Sequence, residues 1–440
     1  MNISRSRTSS SRTVVSRIFI TTTLISSFGL GAVAAPTVSA VAVPSSLMPA
    51  GKVSLTFDDG LQSAYTNAAP ILQTYGLTGT DYVPTGCVGS VGTCPANPDA
   101  TYMNWAQVQA LQNTFKWEVG SHTIDHPCLA NDCDGVPTIS PAREITELTG
   151  SKQALGTYGI NATAFASPYG DYDNNALALI AKSYSSHRGF ADIGFNTFPY
   201  NDLLLVTQQV QGKVTVSQVE KWVNTAIANK QWLVLTFHDI LPNASTNPDD
   251  YQWSSAKLTQ LASYLKAQNV PVVNPSNGIV SGSNNLLPNS SFSDGIADNW
   301  TTDDLTNIKA DSGGNGSYPN PVNSISITAA SKQTHLSSPL TNVNPVQTYV
   351  FKNFLNITSI KSGGFSFNIN EYDASGKLIS SQSKLGIASS RSQNTIYVED
   401  ANFTYKPSST KVSKIQLQVV IKANAGAHAY YANPQMYVEQ

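Results

Sequence analysis

Two adjacent carboxylates and a glycine end an apolar run near the start of the chain. The run from Val53 to Phe57 is followed directly by Asp58, Asp59 and Gly60. Like charges side by side destabilise one another unless a cation or a proton relieves them, so the pair indicates either one metal ligand plus one base or a carboxyl dyad. Asp-Asp-Gly is also ordinary turn chemistry, and a solvated turn is the alternative.

Two histidines four residues apart form a second candidate site. His122 and His126 follow the run Trp117–Gly120, and the whole chain has only 6 His. If this segment coils into a helical turn, both imidazoles point the same way and can share one cation. Together with a carboxylate from Asp58 or Asp59 they would form a metal triad with positions open to water and substrate.

Two more apolar runs end in residues suited to catalysis. Pro168-Tyr169-Gly170 follows one of them and predicts a rigid turn. A loop shaped by proline and glycine, without a catalytic role, is the alternative. The run Trp232–Phe237 ends in His238. Histidine transfers protons near neutral pH, so His238 is a candidate acid, with a structural cap at a strand end as the alternative.

The elements that must position these residues follow a regular alternation over residues 51–280. Short apolar runs alternate with helix-like segments, which is typical of βα repeats around a parallel sheet or barrel. Strands are predicted at Val53–Phe57, Gly79–Val83, Trp117–Gly120, Ala164–Ser167, His187–Ala191, Leu203–Val210, Trp232–Phe237 and Val270–Val273. Helices are predicted at Gln62–Tyr75, Trp105–Thr114, Pro141–Tyr158, Asn174–Ser183, Ser217–Asn229 and Ser254–Gln268. Seven or eight such units favour an α/β barrel over an open sheet.

The character of the chain changes at a predicted linker over residues 281–285. Beyond it cysteine is absent, and Ser, Asn and Gly rise. Alternating runs bounded by turn residues lie at Gly364–Asn370, Asn394–Val398, Lys414–Val420 and Ala429–Tyr430. This pattern predicts an all-β sandwich over residues 286–440.

The first forty residues have the layout of a secretory signal peptide. Four arginines precede the apolar stretch Ile18–Val33, and small residues follow it. A membrane anchor is the alternative, but threonines and serines interrupt the apolar run. We therefore expect a signal peptide over 1–40, a linker over 41–50, and a secreted protein, extracellular or associated with the cell wall, without stable membrane insertion.

The charge balance bears on the class of partner, and the cysteines bear on the compartment in which the protein works. Lys+Arg 26 against Asp+Glu 28 is nearly balanced, which argues against nucleic acid as a partner. Cys87 lies close to Cys94, and Cys128 lies close to Cys133. In an exported chain these pairs predict two local disulfides, because the spacing lacks the C-x-x-C pattern of a thiolate metal site.

Together the motifs resemble the polysaccharide deacetylase family, carbohydrate esterase family four. The resemblance spans about Lys52 to Asn274. It is carried by Thr-Phe-Asp-Asp-Gly at 56–60, His-Thr-x-x-His at 122–126, Pro-Tyr-Gly at 168–170 and Leu-Thr-Phe-His at 235–238, in the family's order. It implies a distorted (β/α) barrel of about seven parallel strands that removes N- or O-acetyl groups from glycans with the help of a metal.

The resemblance also implies a role for each matching residue. Asp58 would be the general base and His238 the general acid. A divalent metal would be held by Asp59, His122 and His126, with zinc first and cobalt, manganese or nickel as alternatives. The backbone N–H of Tyr169, in the turn that Pro168 begins, would help to stabilise the oxyanion.

One departure from the family pattern concerns the base. The family commonly has an arginine two residues before the proline of its third motif, and this chain has Ala166 there. Arg188 is either its substitute or part of a surface ion pair. For the family's fourth motif the nearest match is Asp202. With an alanine at position 166, the chain resembles the branch of the family that acts on extracellular poly-N-acetylglucosamine.

We therefore expect a secreted N-deacetylase of an N-acetylglucosamine polymer such as chitin, poly-N-acetylglucosamine or peptidoglycan, acting as a monomer. The alternatives are an acetylxylan esterase and an inactive glycan-binding adhesin. Trp253 is the candidate platform for stacking on a sugar. The carboxyl-terminal region resembles jelly-roll carbohydrate-binding modules, in which calcium is common.

Overall fold

The computed structural model describes residues 51–439 with internal gaps. The gaps are 91–93, 95–99, 132, 134, 199, 246, 248–249, 280–284, 289, 293–295, 297–298, 312–322, 361–363 and 388–396. The predicted signal peptide, the linker 41–50 and residues 281–284 of the second linker lie outside the described residues. Within the described part, no helix combines the length and the apolar character needed to cross a bilayer.

Seven parallel strands close into a barrel, which confirms the expected α/β fold. The strands are β1 (Lys52–Asp58), β2 (Thr80–Val83), β3 (Glu118–Ser121), β4 (Ala164–Ala166), β5 (Ser186–Ile193), β6 (Leu205–Gln209) and β7 (Trp232–Phe237). Each strand pairs with its sequence neighbour, and β7 closes the barrel on β1 from Lys52↔Trp232 to Phe57↔Phe237. The eighth predicted strand is wrong, because Val270–Val273 contributes only a single bridge between Val272 and Val53.

Helices surround the barrel, and five of the seven in the described part of the chain begin at side-chain caps. They are α1 (Ala69–Thr74, preceded by a π-helical turn at Ala64–Ala68), α2 (Trp105–Asn113), α3 (Pro141–Thr157), α4 (Asn174–Ser183), α5 (Val216–Ala228), α6 (Ser255–Ala267) and α7 (Pro275–Gly278). The side chains of Asn104, Ser140, Asp173, Thr215 and Ser254 accept hydrogen bonds from backbone N–H groups of the first turns. These caps satisfy donors that a helix leaves free at its start.

The two faces of the barrel strands differ in chemistry. Outward-facing Phe57 stacks on Trp117 and Phe237 in the apolar layer under the helices. Inside the barrel, the hydroxyl oxygens of Thr207 and Thr236 lie 2.6 Å apart and share a hydrogen bond. Residues alternate between the two faces of a strand, so the neighbours of the outward-facing apolar residues point into the barrel. Those at the carboxyl ends of the strands lie at the open rim.

The second half of the chain forms antiparallel sheets, which confirms the expected β-sandwich. After the short parallel pair β8 (Asp239–Leu241) and β9 (Gln252–Ser254), its strands are β10 (Thr301–Thr302), β11 (Ile308–Asp311), β12 (Ser324–Thr328), β13 (Thr334–Ser337), β14 (Thr341–Asn342), β15 (Thr348–Ser359), β16 (Phe365–Tyr372), β17 (Leu378–Ile387), β18 (Tyr397–Asp400), β19 (Phe403–Tyr405), β20 (Lys414–Ile421) and β21 (His428–Glu439). One sheet has the order β10-β13-β20-β16-β17, with β14 on β20, and the other has the order β11-β12-β21-β15-β18, with β19 on β15. Phe367 of the first sheet meets Tyr431 of the second in a shared apolar core.

The sandwich packs against the foot of the barrel, where the strands begin. Lys352 on β15 places its Nζ 2.8 and 2.7 Å from the two carboxylate oxygens of Asp202, which lies just before β6. Both side chains are buried. Phe354 and Ala432 of the sandwich belong to the same apolar cluster as the barrel strands. Asp202 therefore holds the two halves together and lies away from the rim that a fourth catalytic motif would occupy.

We expect that Lys352→Met lowers the free energy of unfolding by about 3 kcal/mol, because it removes the ammonium group that contacts both oxygens of a buried carboxylate. Adding Asp202→Leu removes that charge and should recover most of the loss. Urea unfolding of both variants, beside the exposed-site control Lys411→Met, measures the effect. A Lys352→Met protein as stable as the control would contradict a structural role for the pair.

Candidate metal and catalytic site

The exit of β1 turns two neighbouring carboxylates in different directions. Asp58 is the last residue of β1 and faces the interior of the barrel, whereas Asp59 has a φ of 75° and Gly60 a φ of 64°. A left-handed conformation is costly for a residue with a Cβ and persists only where the surroundings impose it. The turn thereby separates the two carboxylates and points Asp59 toward the histidines.

The segment after β3 is an irregular turn and not the helical turn that would also have aligned the two imidazoles. Thr123 and His126 have φ values of 70° and 59°. The Thr123 hydroxyl accepts the His126 N–H at 3.0 Å. Glu147 on α3 accepts the N–H groups of Ile124 and Asp125 at 2.8 and 2.9 Å through one carboxylate oxygen. These bonds hold the turn that carries both imidazoles.

Asp59, His122 and His126 nevertheless converge as predicted. Asp59 Oδ1 lies 3.5 Å from His122 Nε2 and 3.3 Å from His126 Nε2. All three ligand atoms lie within 4.8 Å of one another. His122 Nδ1 lies 2.7 Å from the Ala166 carbonyl oxygen, and a bond to that carbonyl presents Nε2 to the shared point.

The protonation states of these groups fit a divalent cation. Burial opposes ionisation of Asp59, but hydrogen bonds from His122 and His126 outweigh it and hold the pKa of Asp59 well below its usual range. Burial lowers the pKa of His126, with Asp59 acting in the opposite sense. One carboxylate and two imidazoles form a donor set that suits zinc and related metals.

Arg188 supplies the guanidinium that Ala166 cannot provide. Its Nη2 donates to Asp58 Oδ1, and the guanidinium lies 4.6 Å from the ring centre of Tyr82. Arg188 is only 1% exposed, so the interpretation as a surface ion pair is wrong. Ala166 and Arg188 are direct register partners on β4 and β5. The positive charge therefore lies at the same level of the barrel, one strand further along.

A third carboxyl group, that of Asp81 on β2, is buried near this pair. Among the described residues, neither of its oxygens has a hydrogen-bond partner. Burial raises the pKa of Asp81 well above its usual range, and the charges of Asp58 and Asp59 raise it further. Both effects favour the form of Asp81 that adds no negative charge beside Asp58 and Asp59.

The Pro168–Gly170 turn borders the metal ligands. Tyr169 has a φ of 57°, and its ring centre lies 4.6 Å from that of His126. A Cβ on Gly170 would come within 2.5 Å of the Phe190 nitrogen, so only glycine fits against β5 there. The turn is thus fixed beside the site, and the role of the Tyr169 N–H stays a prediction.

His238 follows β7 at the same rim, but the predicted sugar platform does not lie beside it. Trp253 is 1% exposed, and its Nε1 donates to the Val214 carbonyl at 2.9 Å. Its indole packs in the core, so the prediction for Trp253 is wrong. The exposed ring in this loop is Tyr251, 4.8 Å from the His238 ring and 49% exposed. Sequence reasoning missed it, although it lies only two residues before Trp253.

Both predicted disulfides are present. Cys87 pairs with Cys94, and Cys128 pairs with Cys133. The second loop is also held by Asp171, which accepts the Ala130 N–H at 2.7 Å. Disulfides of this kind are compatible with secretion.

Residues 47–184 match the family model for polysaccharide deacetylase. This segment is less than half of the chain and contains Asp58, Asp59, His122, His126 and the Pro168–Gly170 turn. It supports a polysaccharide deacetylase domain, in agreement with the site. Arg188 and His238 lie beyond the matched residues.

The chain is also similar to named proteins. It is 28% identical over 137 residues to a poly-beta-1,6-N-acetyl-D-glucosamine N-deacetylase of Staphylococcus aureus, covering 31% of this chain and 46% of the relative. The chain thus spans about half the length of the curated relatives that it matches.

Two solved structures are similar at low scores. The deacetylase PplD of Streptococcus pyogenes is 24% identical, with 38% of this chain and 68% of that chain covered and a TM-score of 0.33. A family 4 carbohydrate esterase of Streptomyces lividans is 18% identical, with 52% and 95% covered and a TM-score of 0.34. Scores this low assign no role to any residue of this chain.

We expect that Glu147→Gln weakens zinc binding about tenfold, because an amide accepts the Ile124 and Asp125 N–H groups less strongly and loosens the histidine turn. Competition with a chromophoric chelator measures the affinity. Glu220→Gln on α5, outside the site, is the matched control. An unchanged zinc affinity with an intact fold would show that Glu147 does not position the ligands.

Proposed function

We propose that the protein is a metal-dependent N-deacetylase of a polysaccharide that contains N-acetylglucosamine. The observation that carries this proposal is a buried carboxylate, Asp58, paired with Arg188 beside the converging Asp59, His122 and His126. The similarity to an enzyme named for poly-β-1,6-N-acetylglucosamine makes that polymer the first to test. Chitin and peptidoglycan are the other members of this substrate class.

The divalent cation would be held by Asp59, His122 and His126. Zinc is the metal that we propose, and cobalt, manganese and nickel are the alternatives. An amide is a poor electrophile. When bound, the cation supplies a Lewis acid that polarises the acetyl carbonyl and makes the attacking water more acidic. The chain itself supplies the three ligands and, through Glu147 and the Ala166 carbonyl, their orientation.

Asp58 acts as the general base. Its carboxylate takes a proton from water as the water oxygen bonds to the carbonyl carbon. Arg188 fixes the orientation of this carboxylate and balances its charge in the buried site, where an unpaired carboxylate would be strongly disfavoured.

Tyr169 and His238 complete the reaction. The Tyr169 N–H donates to the oxyanion, a contribution of a few kcal/mol for a preorganised donor, about 3 in measured cases. The C–N bond then breaks as the nitrogen takes a proton from His238. Acetate and a free amino group leave the site.

The remaining assignments are part of the same proposal. Residues 1–40 are a signal peptide that directs secretion, 51–280 are the catalytic domain, and 286–440 are a jelly-roll carbohydrate-binding module. The protein acts as an extracellular monomer. The two disulfides support the oxidising destination.

We expect acetate release from at least one of poly-N-acetylglucosamine, chitin oligomers and peptidoglycan, with loss on chelation and recovery on adding zinc. Asp58→Asn should retain zinc and lose turnover, because the amide cannot accept the proton. Release from acetylxylan alone would instead identify an esterase. No release from any polymer by zinc-loaded protein would leave the adhesin alternative.

A second prediction concerns the displaced arginine. Arg188→Ala should lower kcat about a hundredfold, since a misplaced catalytic group costs about that much. Adding Ala166→Arg should restore part of the rate, because the two positions are register partners that face the same interior. The Ala166 carbonyl that binds His122 is unaffected by this change. A swapped variant as slow as the single variant would refute the equivalence of the two positions.

A further inference from the structure

Aromatic rings surround the imidazole of His238. Its ring centre lies 5.3 Å from that of Phe190 and 4.8 Å from that of Tyr251, and the latter two lie 5.8 Å apart. Among the described residues, no side chain makes a hydrogen bond or an ion pair with this imidazole. We call these two rings the aromatic clamp.

Contacts to the backbone fix the chain segments that carry both rings of the clamp. The Phe190 carbonyl accepts a bond from Gln209 Nε2 at 2.7 Å, and Gly170 packs directly against the Phe190 backbone. The Tyr251 carbonyl accepts the Asp239 N–H at 3.1 Å, where β8 pairs with β9. The residue after His238 is therefore bonded to Tyr251 itself, so this small sheet keeps the backbones of His238 and Tyr251 next to each other.

Among the described residues, the neighbouring carboxylate of Asp239 bonds to Ser63 and not to the imidazole of His238. Asp239 Oδ1 accepts the hydroxyl of Ser63, and that hydroxyl also accepts the Ile240 N–H at 3.0 Å. In many hydrolases a carboxylate bonded to the histidine sets its orientation and stabilises its charged form. An aromatic face within about 6 Å can do both for an imidazolium, by packing and by cation–π attraction.

We propose that Phe190 and Tyr251 are positioning residues for His238, with Tyr251 in the place that a carboxylate takes elsewhere. The clamp holds the imidazolium so that its N–H bond breaks as the new N–H bond forms on the departing nitrogen and the C–N bond cleaves. This inference rests on the proposed deacetylase function and deepens it. It makes proton donation, and not carbonyl attack, the step that depends on Tyr251.

The exposed face of Tyr251 offers a competing explanation. A ring that is 49% exposed at the rim could simply stack on a sugar. Loss of a stacking contact weakens substrate binding and raises KM, whereas a misplaced general acid lowers kcat. Comparing an amide with a nitrophenyl ester separates proton donation from the other effects. The amide nitrogen must take a proton to leave, whereas a nitrophenolate leaves without one.

The test compares Tyr251→Ala, Tyr251→Phe and His238→Ala on an N-acetylglucosamine oligomer and on p-nitrophenyl acetate, using full-length zinc-loaded protein. We expect Tyr251→Ala to lower kcat on the oligomer about tenfold, a fraction of what a general acid contributes, and to leave the ester rate within about twofold. His238→Ala should show the same split, more strongly. Tyr251→Phe keeps the ring and should match the wild type on both substrates.

Several results would overturn the proposal. A raised KM with unchanged kcat would make Tyr251 a sugar platform only, and equal losses on both substrates would make it structural. A Phe variant as slow as the Ala variant would assign the effect to the hydroxyl. Should Tyr251→Ala fail to fold by circular dichroism, Phe190→Leu must give the same amide-specific loss. Wild-type protein that releases no acetate would overturn the deacetylase function itself, whereas active wild type with an unaffected Tyr251→Ala overturns the clamp alone.

Discussion

The site depends on relieving two neighbouring negative charges by two different partners. Asp58 and Asp59 are consecutive, and burying both without compensation would cost far more than a folded protein can tolerate. The left-handed turn at Asp59 sends the side chains apart. Arg188 then neutralises Asp58 from inside the barrel, and the two imidazoles favour the charged form of Asp59. In the proposed mechanism one acid is the base and the other a metal ligand because their partners differ.

Rigidity at the rim is built from unfavourable backbone conformations. Asp59, Thr123, His126 and Tyr169 all have positive φ, and all four lie around the same point. Such conformations cost about 1–3 kcal/mol each and persist only under strong local constraint. Here the constraint comes from the buried Glu147, the Thr123 hydroxyl and the close approach of Gly170 to β5. A preorganised site of this kind needs little rearrangement during a reaction.

The barrel and the convergence of its motifs were predictable because parallel strands all end at one rim, so polar residues after apolar runs must meet there. Arg188 could not be placed, since its equivalence to Ala166 depends on strand register, which a sequence does not display. The conformation of the histidine turn depends on bonds from α3, which is distant in sequence. Trp253 and Tyr251 are both aromatic residues in one loop, and only tertiary packing decides which is buried.

The ion pair at the foot of the barrel also constrains the order of events in biosynthesis. Asp202 is made 150 residues before Lys352, the residue that neutralises it. Until β15 has been made, Asp202 has the charge of Lys52 nearby but not that of Lys352. The barrel half can therefore gain its ionic contact with the sandwich only after most of the chain has been made, and a product truncated before Lys352 would lack the ammonium group that contacts both carboxylate oxygens.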